Sequence, residues 1–449
     1  MAGEEFVNSK QILIKNAIVL TEDDQIGDFD RADVLIESGA VARIAPDISA
    51  PAGAEAVEAS GCIVIPGFVD SHRHLWHTSL RNHLGNTTSS RFFPVMAALC
   101  SQFTTEDLYV STLLGAAECL NAGITTVFDW CHGATTPAHA DAALKAIFES
   151  GARAVFAYGS ALNSPPQSPH PEDIIRVQRE YFASQGGLVS LAMAARGPEM
   201  LAPEQNDVDF KLARRLGIPI SVHVGAWGGA TGAPIAALHE RGLAGSDINY
   251  VHLNNTDGAV LDLIAKSRGT ASITPFCETM MGAGTPPTAA LLSRGVATGL
   301  GADTGLFGAS NMFTEMRMVL SAARVVETRA HAAKGAQYQQ VEMRTERALS
   351  LATRESAAAI WLDRRVGSLA PGKRADLALL DRRSLGAAPV RTASQARNAI
   401  VLGCEAADVR SVMVDGAWVK KDGRLLGFDL EDLADRAERT RQRLAPNQA

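Results

Sequence analysis

At 449 residues, with 46% hydrophobic and 20% charged side chains, the chain has the composition of a folded globular protein with room for two or three domains. A formal net charge of −7 and a pI near 5.9 give no basic footprint for nucleic acid. No run reaches the ~18 apolar residues of a membrane span, Met1–Lys10 is polar and acidic, and the six cysteines include no Cys-x-x-Cys pair. A cytoplasmic enzyme is expected, with neither nucleic acid nor membrane as partner.

In chain order, Ile12–Leu20 and Ala32–Ile36 are rich in branched residues and interrupted by Gly39 and Pro46, the pattern of short strands. Ala375–Asp381 and Val409–Val419 look the same near the other end. Few short strands bury a core alone, so a small β-sandwich built from both termini is expected, over 1–62 and 365–449, with a C-terminal helix. The chain between them, 63–364, alternates apolar strand-like runs with helical periodicity. Strands are expected at 124–130, 154–158, 188–193, 218–223, 248–252, 270–274 and 296–303. Helices are expected near 104–117, 138–150, 171–183, 210–216, 234–241, 257–267 and 287–294, most stopped by a glycine such as Gly151, Gly217 or Gly242. With the run ending at Asp70 as the first strand, that makes eight. Strands alternating with helices argue for parallel pairing, and eight of them for a (β/α)8 barrel of the TIM type. Helices near 312–334 and 345–362 precede the return to the β domain.

The first barrel strand runs into Asp70-Ser71-His72-Arg73-His74. Side chains two apart on a strand share a face, so His72 and His74 can meet at one point while Arg73 turns away. Active sites of such barrels lie at the C-terminal ends of the strands. There the sequence also places His223 after the fifth strand, His252 after the sixth and Asp303 after the eighth. Five imidazole and carboxylate groups ending four strands point to a metal site.

Pro66-Gly67-Phe68-Val69-Asp70-Ser71-His72-Arg73-His74 resembles the signature of the amidohydrolase superfamily. His223, His252, the ending Leu300-Gly301-Ala302-Asp303, and Gly367–Leu377 near the C-terminus resemble its further pieces, in the required order. The resemblance covers roughly residues 10 to 425 and is nearest to the branch of cytosine, guanine and S-adenosylhomocysteine deaminases and triazine hydrolases. It implies that His72, His74, His223 and Asp303 bind one divalent ion, Zn2+ foremost, with Fe2+ or Mn2+ as alternatives. No lysine ends a strand where a carbamylated bridge to a second ion would be expected; the fourth ends Leu191-Ala192-Met193-Ala194-Ala195. By the same resemblance, Asp303 takes a proton from the attacking water and passes it to the leaving group, and His252 orients that water or donates to the oxygen formed. Relatives of this branch are often dimers or tetramers, and a homodimer or homotetramer is expected.

The chain departs from the pattern at one place. Most of these relatives carry a glutamate three residues after the fifth-strand histidine to shuttle protons to a ring nitrogen, and here that position is Ala226. Glu278, just after the seventh strand, is a substitute for it. Trp76, Trp130 and Trp227 follow strands one, two and five, where they could stack on a planar heterocycle or plug the barrel top. His77, Arg81, Asp129 and His132 are nearby polar residues for substrate recognition. The expected activity is metal-dependent hydrolysis of a non-peptide C–N bond, deaminating a cyclic amidine such as a purine, pyrimidine, pterin or triazine. The alternatives are a different leaving group (dechlorination or ring-amide opening) and a non-hydrolytic lyase or decarboxylase.

Overall fold

Eight strands from the middle of the chain pair in sequence order, each parallel to the next. In the computed structural model, which describes residues 11–165, 167–168, 170–184, 186–226, 232–308 and 310–445, they are β1 (Phe68–Arg73), β2 (Ile124–Cys131), β3 (Arg153–Gly159), β4 (Val189–Ala195), β5 (Ile220–Val224), β6 (Ile248–His252), β7 (Thr270–Ile273) and β8 (Thr298–Leu300). A parallel bridge between Arg73 and Asp303 joins the last strand to the first. The result is the expected (β/α)8 barrel. The strands are parallel because each connection carries a helix. The helix that leads into β2, Thr105–Asn121, is started by a capping box: Thr104 Oγ1 accepts from Asp107 N at 3.2 Å and Asp107 Oδ2 accepts from Thr104 N at 2.7 Å.

Three stretches differ from the periodicity reading. The helix expected at 210–216 begins at Pro203, because proline fits a first turn whose N–H groups have no partner. The helix expected at 345–362 is two, Thr345–Leu351 and Arg354–Ala359, and Ser356 Oγ in the second accepts from Leu300 N at 2.9 Å. The long stretch before the second strand holds a helix, Ser89–Cys100, hidden from pattern reading by Pro94 inside it.

Strands Ile12–Val19, Phe29–Glu37, Ala40–Ala45 and Cys62–Pro66 from the N-terminal end share one sheet with Leu377–Asp381, Val409–Val414, Ala417–Lys421 and Arg424–Leu425. The two ends of the chain meet where Cys62–Pro66 runs antiparallel to Leu377–Asp381, Cys62 opposite Asp381 and Pro66 opposite Leu377. Gly67 is the crossing point from this sheet into β1. Its N–H donates to Asp376 O at 2.9 Å, and a Cβ there would lie 2.2 Å from the Thr125 side chain. The helix Leu430–Leu444 packs Leu433 and Ala437 against Val110 and Ala117. Among the described residues no helix is long and apolar enough to cross a membrane.

One buried ion pair ties the sheet to the barrel. Arg153, at the start of β3, donates Nε and Nη2 to the two carboxylate oxygens of Asp376 at 2.8 and 2.9 Å, and Nη2 also to Asp415 Oδ1 at 2.7 Å. The Arg153 and Asp376 side chains are each 1% exposed, so removing the guanidinium strands a carboxylate in a dry interior. Arg153→Met is expected to cost about 3–5 kcal/mol in equilibrium denaturation, the range for breaking a buried pair from one side; an unchanged midpoint would contradict it.

Candidate metal centre

The site is assembled at the seam where the barrel closes. Asp303 N donates to His72 O at 2.9 Å, and His74 N donates to Asp303 O at 2.7 Å. These two bonds hold the end of β1 against the segment after β8. Such an approach requires Gly301, since a Cβ there would stand 2.6 Å from His72 O and 2.8 Å from His72 N. Asp70, fully buried behind the seam, accepts from Ala302 N at 3.1 Å and His72 N at 3.3 Å. Burial pushes its carboxyl up to about 6, against the charge of Arg73. Asp303 and His252 both lie in the left-handed region, at φ 55° and 76°. For side chains with a Cβ that conformation costs free energy, and it is retained where surrounding contacts enforce it, commonly at functional sites.

The side chains converge as the sequence pattern implied. His74 Nε2 is 3.3 Å and His72 Nε2 3.6 Å from Asp303 Oδ1, and His72 Nε2 is 3.2 Å from His223 Nε2. Two groups of ligand atoms, His72–His74–Asp303 and His72–His223–His252, each lie within 4.8 Å of one another. Ring nitrogens facing each other and a carboxylate oxygen at such spacings fit a divalent cation between them. Charge state agrees. Burial, then the neighbouring imidazoles, holds His74 and His223 well below the ordinary histidine range, so both are neutral and able to ligate. Burial opposes ionisation of Asp303, but its hydrogen bond with His72 and the charge on His252 carry it below the ordinary carboxylate range. One of these imidazoles is braced from behind: His74 Nδ1 lies 2.6 Å from Trp130 O, which fixes its tautomer and aims Nε2 at the centre.

His252 differs from the other imidazoles. Burial disfavours its charge, but the hydrogen bond to Glu278, followed by the charges of Asp303 and Glu278, raises it above the ordinary histidine value. Glu278 is no solvated loop residue. It lies in a short helix, Pro275–Met280, and is 1% exposed. Its Oε1 accepts from Thr274 N at 2.9 Å and stands 3.1 Å from His252 Nδ1. The carboxylate thus sits behind His252, away from the open space.

That space is a cavity of about 190 Å³ above the ligands. His74, His223, His252 and Asp303 form its floor, with Trp130 and His132 on one wall. Burial drives the His132 imidazole down to about 3. Of the other residues singled out in the sequence, Trp76 is fully buried and packs on Phe103 at 5.1 Å and His77 at 4.2 Å. His77 is buried, with Nδ1 3.0 Å from Thr304 Oγ1. Asp129 is buried beneath the floor, its Oδ1 accepting from Leu75 N at 3.0 Å. Arg81 points elsewhere: it pairs with Glu118 at 3.0 Å in a groove beside the C-terminal helix. Trp227 lies outside the described residues. The cavity also takes in Phe92 and Phe93 from the hidden helix, Ser160 after β3 and Arg196 after β4. Arg196 gives Nη1 to Pro165 O at 2.7 Å and Nη2 to Ser164 O at 3.0 Å. Among the described residues no carboxylate forms a direct ion pair with it, and the charge of Asp209 acts on it without contact. Burial lowers its proton affinity.

A family model described as the amidohydrolase family matches residues 63–419. The chain belongs to the amidohydrolase family. It is accordingly a metal-dependent hydrolase. Among curated proteins it is 29% identical over 399 residues to a 5-methylthioadenosine/S-adenosylhomocysteine deaminase of Symbiobacterium thermophilum, covering 83% of this chain and 85% of that one. It is 26% identical to a 5'-deoxyadenosine deaminase of Methanosarcina mazei, covering 96% and 98%. Its fold is shared with an adenosine deaminase from Xanthomonas campestris with bound zinc, at TM-score 0.83 and 21% identity over 97% of this chain and 99% of that one. An atrazine chlorohydrolase from Arthrobacter aurescens complexed with zinc is similar at TM-score 0.82 and 22% identity over 96% and 99%.

Asp129 yields a prediction that separates structure from recognition. Burial raises its carboxyl to about 7. A raised carboxyl binds its proton more tightly folded than unfolded, so the stability it contributes is complete below the ordinary value of ~3.9 and is lost as pH rises through about 7. Asp129→Asn keeps the acceptor for Leu75 N and removes the titration. It should flatten the fall in stability between about pH 4 and 7, by up to ~1.4 kcal/mol per unit, with KM unchanged; a KM raised roughly tenfold would instead put Asp129 on the substrate.

Proposed function

We propose that this amidohydrolase deaminates a cyclic amidine, with one Zn2+ ion held by His72, His74, His223 and Asp303. The observation that supports it is that His72 is shared by two groups of converging ligand atoms, one with His74 and Asp303 and one with His223 and His252, and that those four partners line one cavity. An ion bound there supplies an acidified water, its pKa brought from 15.7 towards ~7. The remaining chemistry belongs to the chain. Asp303, a strong carboxylate 5% exposed at the cavity floor, accepts a proton from the attacking water and returns it to the departing amine. His252, whose proton affinity Glu278 raises against burial, donates to the oxygen on the carbon under attack, where negative charge builds. Glu278 acts through His252 as a positioning residue.

The walls bear on the substrate. Trp130 presents a ring 4.3 Å from that of His223 and offers a flat face for a heterocycle. Arg196, which lines the same cavity, favours a substrate with a carbonyl oxygen or anionic edge. The relatives' names point the same way, since each is a deaminase of an adenine-bearing compound. The small-molecule partner is therefore a purine, pyrimidine, pterin or triazine bearing an exocyclic amine.

Ammonia release across a panel of nucleobases, nucleosides, pterins and aminotriazines tests this directly. Ammonia and the matching oxo product are expected from at least one member; chloride or a ring-opened acid as the product would overturn deamination. In the active pair, Asp303→Asn should abolish turnover. Glu278→Gln should lower kcat by about 10- to 100-fold, the effect of a lost supporting partner, and shift the pH profile as His252 loses its charge support; near-parent kcat and profile would confine Glu278 to packing.

A further inference from the structure

Deamination requires two proton deliveries, one to the ring nitrogen and one to the amine that leaves. Asp303 can serve only one of them at a time. Ala226, 5% exposed on the cavity wall, has a methyl group where a carboxylate would do the other. Glu278 cannot replace it, because His252 stands between it and the cavity and its Oε1 is already held by Thr274 N.

A different carboxylate is in place. Glu199 lies in the segment after β4, and its Oε2 accepts from Gly225 N at 2.9 Å. That bond pins the carboxylate to the residue immediately before Ala226. On either side of Glu199 in the chain, Arg196 and Met200 line the same cavity as Ala226. Glu199 itself is half-buried. We propose that Glu199 carries out from the β4 segment the proton relay that Ala226 cannot carry out from β5.

This rests on the deaminase reading, and the steps balance as follows. As oxygen bonds to the amidine carbon, the C=N π pair moves onto the ring nitrogen. Glu199 takes one proton of the attacking water and places it on that nitrogen. Asp303 carries the second water proton to the exocyclic amine. The C–N bond breaks with its electron pair on nitrogen, ammonia departs and the carbonyl forms. Both carboxylates end as they began.

The test compares ammonia release and bound metal in the metal-loaded parent, Glu199→Gln, Ala226→Glu and the double variant Glu199→Gln/Ala226→Glu. Glu199→Gln is expected to lose about 10²- to 10⁴-fold in kcat, the usual worth of a general acid–base group, with KM and metal content near the parent's. The double variant, with a carboxylate restored from the other side, is expected to regain at least tenfold of that loss. Parent-like kcat in Glu199→Gln, depleted metal in it, or no recovery in the double variant overturns the relay. A parent that releases no ammonia from any panel member refutes the deaminase reading and the relay with it; an active parent with an insensitive Glu199→Gln refutes the relay alone.

Discussion

Closure of the barrel between its first and eighth strands is the constraint from which the chemistry follows. The two backbone hydrogen bonds joining His72, Asp303 and His74 across the seam set the distance between the imidazole pair and the carboxylate. No side-chain choice could do so alone, because residues 72 and 303 are joined through the whole barrel. Gly301 permits the approach and the buried Asp70 bridges it, accepting from both sides. Strain at Asp303 and His252 is sustained at the same place. The other histidines enter from β5 and β6, whose register places Val224 opposite His252 and His223 opposite Val251.

The terminal sheet fixes where that seam begins. Gly67 passes the chain from the sheet into β1, five residues before His72, and its N–H is held by the residue that also grips Arg153. Thus Asp376 holds the start of β1 through its main-chain carbonyl, and the start of β3 and the turn at Asp415 through its buried carboxylate. A loosened terminal sheet would reach the metal ligands through the short stretch 67–72, which accounts for a binding site inside the barrel depending on strands from both chain ends.

The ligand set was legible because each member obeys a strong rule. His72 and His74 follow the two-residue period of a strand, and His223, His252 and Asp303 each end a strand in a barrel whose sites lie at those ends. The same rule reached its limit at β4, where the reading stopped at Ala195, one residue short of Arg196. Glu278 was singled out by its place just after the seventh strand, but its burial was not legible, because a six-residue helix leaves no periodic signal and His252, the partner it faces, comes from another strand. Arg81 was grouped with the site by its nearness in sequence to His77, but a long flexible side chain goes to its charge partner, here Glu118. The apolar wall of the cavity, Phe92 and Phe93, comes from a helix that contains proline, which local pattern treats as a break. Trp76, by contrast, took the plugging role weighed for it, since its ring is wholly enclosed.

X-ray absorption at the metal edge of the purified, metal-loaded protein tests the central assignment most directly. The expected result is one Zn2+ per chain with a shell dominated by imidazole nitrogen at about 2.0–2.1 Å and carboxylate or water oxygen at about 2.0–2.2 Å, losing one imidazole in His223→Ala. A metal–metal scattering peak at about 3.5–4 Å, the spacing of two-metal sites, or an all-oxygen shell unaffected by His223→Ala, would contradict it.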